Sequence, residues 1–273
     1  QGIDSFAFLA IPFFVLAGEL MNTGGITRRL LAFSAALVGH IRGGLSHVAI
    51  VGSMVFSGVS GSAVADASAI GAAMIPAMKQ EQYPADYAAA VVAAAATMGP
   101  IIPPSIAFVI YALVTEVSIG RLFLAGAIPG LLMGIYLLGT ASLIARKRSF
   151  PYTPRASLAR IGRTFRDALI ALGMPIIILG GIVFGVTTPT EAGAIAVVYG
   201  ALVGTLVYRE IRPRDLFRIA AESMISSGLI LLMVAASGIF SWLVANMAIG
   251  ELLVKLFTGL TDSRWLMLVL INA

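Results

Sequence analysis

The chain of 273 residues has no cysteine, two histidines and few charged side chains. The absence of cysteine excludes disulfide bonds, thiolate metal sites and a cysteine nucleophile. Charged residues make up 11% and hydrophobic residues 59% of the chain, whereas a soluble domain is about 25% charged. A soluble core cannot bury so much apolar surface. The composition therefore predicts an all-α polytopic membrane protein.

The sequence also lacks the motifs of an ATP-driven pump or an intramembrane enzyme. It contains no phosphate loop, no acidic metal cluster and no His-Glu-x-x-His motif. Without an ATP site, any transport by such a chain would draw on an ion gradient, worth about 2.3 kcal/mol per charge per 100 mV. The net charge of +5 does not indicate nucleic acid binding, because the basic residues lie in short runs between apolar segments.

Two basic runs set the predicted topology. Residues 146–166 hold seven basic residues and no acid, and residues 209–218 hold four arginines. The positive-inside rule places both in the cytoplasm, with two spans between them that turn outside near residues 187–191. The apolar segments themselves are 6–21, 45–78, 87–114, 122–145, 168–186, 192–208, 226–245 and 265–273.

The segment 45–78 is too long for one span and too short for two. Its centre is rich in serine and glycine, and such a backbone cannot face lipid. We predict a re-entrant helical hairpin that enters from the cytoplasm and returns there. The preceding stretch 26–41 is predicted to lie along the membrane interface as an amphipathic arm.

The next span is interrupted by the motif GPIIPPS at residues 99–105. Prolines remove backbone donors and disfavour helix before them, so this span is predicted to be a broken helix. Hard cations such as Na⁺ bind hydroxyl and carbonyl oxygens, which a hairpin tip and a broken helix supply together. The candidate cation and substrate residues are Ser57, Ser60, Gly61, Ser62, Asp66, Gly99, Pro100, Pro103 and Ser105.

Several of these features have structural alternatives. A membrane proline often only kinks a helix, and Asp66 is a candidate cation ligand, proton carrier or helix N-cap. Glu191 follows Pro189 in the motif TTPTEA, which predicts a capped helix start. We expect His40 and His47 to lie at the membrane interface, since no further metal ligands accompany them.

A weak internal repeat appears at an offset of 220 residues, pairing Gly18 with Gly238 and Gly39 with Gly259. The residues around the amphipathic stretch of the first copy are basic, whereas those of the second copy sum to zero charge. This difference places the two stretches on opposite sides of the membrane, as in an inverted-topology repeat. The second copy stops before any counterpart of the hairpin. We therefore expect the chain to be truncated at both ends, with the second hairpin missing.

Five motifs carry a family resemblance. They are AIPFFVLAGELMNTGG at 10–25, VGHIRGG at 38–44, SGSAVAD at 60–66, GPIIPPS at 99–105 and TTPTEA at 187–192. Together they resemble the large membrane subunit of tripartite ATP-independent periplasmic (TRAP) transporters. The resemblance implies an elevator-type transporter of the bacterial inner membrane, with no cofactor and with Na⁺ as the coupling ion. It also implies a small membrane subunit and a periplasmic binding protein that delivers an organic acid, such as a C4-dicarboxylate or sialic acid.

These predictions divide the chain into four parts. Residues 1–44 are scaffold and arm helices, 45–115 the transport-domain hairpin and broken helix, 116–166 a span with the basic linker, and 167–273 the start of the second repeat. An anion carrier without a binding protein and an ion channel with a re-entrant pore loop are the alternatives.

Overall fold

The computed structural model describes residues 6–148 and 150–247, together with residues 259, 266 and 267. The described residues form helices and no strand. The helices are α1 (Ala10–Thr23), α2 (Ile26–Val38), α3 (Gly44–Ser60), α4 (Ala63–Gln80), α5 (Ala85–Ala96), α6 (Ile106–Thr115), α7 (Ile119–Lys147), α8 (Leu158–Val183), α9 (Pro189–Leu202) and α10 (Pro213–Asn246), with a 3₁₀ turn at Phe6–Leu9 and a π-helical turn at Val203–Val207.

Within the described ranges, four helices are long and apolar enough to cross a membrane. They are Ile119–Lys147, Leu158–Val183, Pro189–Val207 and Pro213–Val244. The chain divides into two compact units, of which Ser5–Ser227 holds everything discussed below. The other unit comprises residues 1–4 and 228–273, of which the structure describes the last part of α10 and residues 259, 266 and 267.

Helices α3 and α4 form the predicted hairpin. Gly61, in the left-handed region with a φ of 60°, ends α3, and Ser62 begins α4. Leu45 at the start of α3 and Met78 near the end of α4 pack into the same apolar cluster, beside Phe150 of the basic linker. The two helices are therefore antiparallel, and both outer ends lie at the end of the bundle that carries the linker.

The interrupted span is two helices, α5 and α6, separated by residues 97–105. The peptide bond between Pro103 and Pro104 is cis. Helix α7 packs closely on this break through glycines one turn apart. A Cβ at Gly126 would come within 2.6 Å of the Ile101 carbonyl oxygen, and one at Gly130 within 2.6 Å of Ile102. Small residues at this spacing let membrane helices approach closely.

Helix α2 lies across the end of the bundle that holds the basic loops. At its start, Arg29 contacts Glu210 in the loop after α9. At its end, the Gly39 carbonyl accepts a hydrogen bond of 2.7 Å from Thr153 in the basic linker. This placement suits an interfacial arm, and its position relative to a bilayer stays a prediction.

Both basic runs are partly helical. Helix α8 begins at Leu158, because Ser157 caps it by accepting a hydrogen bond from the Arg160 amide, and arginine is a good helix former. The boundary drawn between residues 166 and 167 therefore lies inside α8. The amphipathic stretch of the second copy of the repeat, including residues 248–258 and 260–265, lies outside the described residues, so the inverted repeat stays a prediction.

Candidate functional site

Asp66 lies in the first turn of α4 with no exposed surface. One carboxylate oxygen accepts a hydrogen bond of 2.5 Å from the Ser57 hydroxyl, and the other accepts one from the Ser60 hydroxyl. Both serines belong to the last turn of α3, so the carboxylate ties the two helices of the hairpin together at their tip.

The N-cap of the hairpin is Ser62 and not Asp66. Ser62 has extended backbone angles and accepts a hydrogen bond of 3.4 Å from the Ala65 amide. Asp66 comes one turn later, where its side chain points to α3 instead of capping α4. The N-cap alternative for Asp66 is therefore wrong.

Among the described residues, no cationic side chain forms an ion pair with the Asp66 carboxylate. The ion pairs among the described residues join Arg28 and Arg29 to Glu210, and Arg218 to Glu222. A buried charge without a partner is costly, so an ionised Asp66 requires an additional cation or water. The serine hydroxyls that donate to it retain lone pairs that can serve as ligands.

The last carbonyls of α3 add further oxygen ligands to this position. The Gly61 amide satisfies the Ser57 carbonyl at 3.0 Å, whereas the carbonyls of Val59 and Ser60 accept no backbone hydrogen bond within the described ranges. Such carbonyls carry the negative end of the helix dipole. The carboxyl end of α3 and the Asp66 carboxylate therefore concentrate negative potential at the tip of the hairpin.

The break between α5 and α6 lies directly against this tip. The Ile106 amide donates to the Gly61 carbonyl at 3.4 Å. A Cβ at Gly99 would come within 2.8 Å of Ser62 and 2.9 Å of the Asp66 carboxylate. Glycine at position 99 thus permits the backbone of the break to approach the buried carboxylate.

Ser105 organises the second half of the break. It caps α6 by accepting a hydrogen bond of 3.2 Å from the Phe108 amide, and its hydroxyl donates to the Pro100 carbonyl at 2.6 Å. The carbonyls of Pro103 and Pro104 accept no backbone hydrogen bond within the part of the chain that the structure describes. They are among the oxygen ligands that the broken helix can still offer.

The structure brings the predicted site residues together at the hairpin tip and the break. Some of them meet through their side chains and others through their backbone. Ser57, Ser60 and Asp66 meet through their side chains, whereas Gly61, Ser62 and Gly99 meet through their backbone. The carbonyl of Pro100 is engaged by Ser105. The carbonyl of Pro103 lies 3.6 Å from where a Cβ on Gly58 would be.

Sequence reasoning missed two neighbours of the tip. A Cβ at Gly18 of α1 would lie 3.5 Å from the Ser60 carbonyl oxygen, and Pro175 of α8 lies beside Gly58. The signals for Gly18 were its place in the family motif at 10–25 and its match with Gly238 in the internal repeat, and neither reveals its partner. A contact between distant segments leaves no local pattern in a sequence.

Side-chain contacts bear on two further residues. Thr188 and Glu191 form a capping box with Pro189 in the first turn of α9, as the motif predicted. His47 is buried within the protein, and its depth relative to a bilayer stays a prediction. It is 1% exposed, with its ring nitrogens 3.1 Å from the Gly43 carbonyl and 2.8 Å from the Ser142 hydroxyl. His47 is therefore a core histidine between α3 and α7, with both ring nitrogens within hydrogen-bond distance of a partner.

The apolar spans, the buried carboxylate and the broken helix define a polytopic helical membrane protein with a polar site built from backbone and hydroxyl oxygens. Residues 1–273 match the family described as the DctM component of the tripartite ATP-independent periplasmic transporter, and the chain belongs to that family. The family is one of transporter permeases and not of enzymes. The chain is therefore a multi-pass protein of the bacterial inner membrane.

Three curated relatives illustrate the family. The chain is 43% identical over 271 residues to the sialic acid TRAP transporter large permease protein SiaM of Vibrio cholerae, covering 99% of this chain and 64% of the relative. It is 40% identical over 269 residues to the C4-dicarboxylate TRAP transporter large permease protein DctM of Pseudomonas aeruginosa, covering 98% and 63%. It is 36% identical over 271 residues to the isethionate TRAP transporter permease protein DctMQ of Oleidesulfovibrio alaskensis, covering 99% and 43%. The chain thus spans less than two thirds of the length of these relatives.

Proposed function

We propose that the chain forms part of a permease for Na⁺-coupled uptake of an organic acid across the inner membrane. The permease would work with a small membrane subunit and with a periplasmic binding protein that delivers the substrate. Relatives at 43% and 40% identity are named as transporters of sialic acid and of C4-dicarboxylates. These names support an organic acid as the substrate class. An elevator motion of the hairpin and broken helix is part of the same proposal.

The observation that carries the proposal is the uncompensated carboxylate of Asp66 among neutral oxygens. One negative charge balances one monovalent cation. A divalent ion such as Ca²⁺ is usually held by several carboxylates, and the described residues contain no group of three or more His, Cys, Asp or Glu side chains that could hold a metal ion. Ser57, Ser60 and carbonyl oxygens of the hairpin tip or the break would complete the ligand set of Na⁺.

The two helix N-termini at the site differ in what they can bind. The first turn of α4 already contains Asp66, whereas the first turn of α6 contains no acid. A helix N-terminus attracts anions through its free amides. We therefore assign the carboxylate of the substrate to the N-terminus of α6, and the cation to the hairpin tip beside it. A bound cation would reduce the repulsion between Asp66 and the incoming substrate, which couples the two.

Uptake into proteoliposomes tests the proposal. The complete gene product is reconstituted with the small subunit and the binding protein encoded beside it, and an inward Na⁺ gradient is compared with an equal K⁺ gradient. Substrate uptake is expected to require Na⁺ and the binding protein. The variant Ser60→Ala is expected to need more Na⁺ for half-maximal uptake, because it removes one ligand and one donor to Asp66.

The matched control is Ser53→Ala. Ser53 is fully buried on the same helix, away from the tip, and its hydroxyl makes no hydrogen bond to a described residue. It should transport with the Na⁺ dependence of the unaltered protein. Uptake that proceeds equally in Na⁺ and K⁺, or an equal response of both serine variants, would contradict the proposed cation site.

A further inference from the structure

A cavity of about 650 Å³ opens beside the arm helix, at the end of the bundle that carries the basic loops. It lies between α2, the first part of α8 and the end of the π-helical turn that follows α9. It is separate from the hairpin tip, and none of the proposed transport residues lines it. By the positive-inside rule this end faces the cytoplasm, where the lipid headgroups begin.

The charged lining of the cavity is not fully compensated. Arg28, Arg29 and Arg166 line it together with Asp167, and Glu210 lies next to them. Three arginines against two carboxylates leave one net positive charge. The cavity is thus suited to an anion, with Asp167 as the acidic group on its rim.

The three arginines are not equivalent. Arg29 is held in place, since it donates to Glu210 at 2.8 Å and to the Gly25 carbonyl at 2.9 Å and stacks 3.7 Å from the ring of Tyr208. Arg28 contacts the same carboxylate oxygen at 3.2 Å, but its side chain is 79% exposed. Arg166 is exposed and makes no ion pair with a described residue. Arg28 and Arg166 can therefore reorient towards a ligand.

Below the arginines the cavity is apolar. Ala32, Leu169, Ile170 and Val207 line it, and Leu169 and Val207 remain 48% and 51% exposed in this structure. A free inorganic anion gains nothing from such a surface. A molecule with an anionic head and a hydrocarbon chain matches both parts, because it replaces water on the apolar residues while its head meets the arginines.

We propose that this cavity binds a membrane phospholipid, with the headgroup phosphate between Arg28 and Arg166 and an acyl chain along Leu169 and Val207. Basic pockets between helices on the cytoplasmic side are suited to lipid headgroups. The bound lipid contacts both α2 and α8, which already meet through the rings of Phe33 and Phe165, 5.5 Å apart. It thereby fastens the arm helix to the first part of α8.

Native mass spectrometry of the detergent-purified complete protein tests this site by titration with phosphatidylglycerol. One tightly bound lipid is expected. The variants Arg28→Gln and Arg166→Gln should each weaken its binding by about fivefold, the effect of one arginine near a membrane surface. Arg160→Gln is the matched control, because Arg160 is an exposed arginine of α8 that does not line the cavity.

Three further measurements separate the contributions of head and chain. The variant Ala32→Trp fills the cavity without changing its charge and should also lose the lipid. Diacylglycerol, which has the chains and lacks the phosphate, and inorganic phosphate, which lacks the chains, should each fail to displace phosphatidylglycerol. Displacement by either one, or equal lipid binding by Arg160→Gln and Arg166→Gln, overturns the proposal.

Discussion

The substitution Asp66→Asn separates a cation site from a purely structural hydrogen-bond network. Asparagine preserves the size of the side chain and one acceptor oxygen, so a hydrogen bond from Ser57 or Ser60 can persist. What disappears is the negative charge in a fully buried position. If the carboxylate holds Na⁺, the variant loses the cation while the hairpin retains its fold.

The expected loss is large. A unit charge pair at 4 Å is worth about 4 kcal/mol at an effective dielectric constant of about 20. At about 1.4 kcal/mol per tenfold, this corresponds to roughly three orders of magnitude in Na⁺ affinity. A protein saturated at about 100 times its dissociation constant gains about 2.7 kcal/mol of stability from the ligand, and the variant should lose nearly all of this gain.

Thermal unfolding in NaCl and in KCl of equal ionic strength measures this loss. The unaltered protein should unfold several degrees higher in NaCl, because about 1 kcal/mol shifts Tm by about 2–4 °C in a protein of this size. Asp66→Asn should unfold at the same temperature in both salts. In KCl it should be no less stable than the unaltered protein, because it removes an uncompensated buried charge.

Asp86→Asn is the matched control. Asp86 also lies in the first turn of a helix, α5, but it is exposed. This variant should lose only the small contribution of a carboxylate to the helix dipole, about 0.3–1 kcal/mol, and keep its response to Na⁺. A full Na⁺ response in Asp66→Asn, or an equal destabilisation in both salts, would refute the reasoning from the buried charge.

Two local substitutions test the backbone that positions the site and the spans. Gly61→Ala should lower the free energy of unfolding by at least about 1–2 kcal/mol, because Gly61 has a φ of 60° and its Cβ would come within 2.8 Å of the Pro104 carbonyl oxygen. Chemical denaturation measures this loss, and the control is Gly139→Ala, whose Cβ meets no atom within 4 Å. Equal stability of the two variants would show that the tip is not so closely packed. Thr188→Ala removes the capping box of α9 and should lower the free energy of unfolding by about 1 kcal/mol in the same assay. Thr188→Ser keeps the hydroxyl and should retain most of the stability. Equal stability of the two variants would contradict the cap.

Local patterns in the sequence were sufficient for the main elements. The length and serine-rich centre of residues 45–78 predicted the hairpin, because a polar backbone in an apolar run must turn within protein. The prolines at 103 and 104 predicted the break between α5 and α6, because each removes a helical hydrogen bond. The TTPTEA motif predicted the start of α9, since a capping box depends on residues three positions apart.

Other details depend on packing that the sequence does not reveal. The second half of the basic run forms the first part of α8, since arginine satisfies the charge rule equally well in a helix. The approach of α7 supplies Ser142 as a hydrogen-bond partner for His47 and buries its ring. Neither outcome follows from residues that are neighbours in the chain.

The sequence by itself determined that this protein is helical, that it spans a membrane, and that polar residues interrupt it at the hairpin centre and at the proline break. These three properties follow from the composition and from residue spacings of a few positions. Local sterics decide where a helix is interrupted, and the absence of water in lipid requires the backbone of a span to be hydrogen-bonded within the protein. Only the tertiary structure decided that Asp66 receives the Ser57 and Ser60 hydroxyls, and that Gly99 brings the break against it. Likewise, only the packing of α2 against α8 and the end of α9 created the basic cavity. Contacts between distant segments depend on how whole helices pack, and packing is a property of the folded chain.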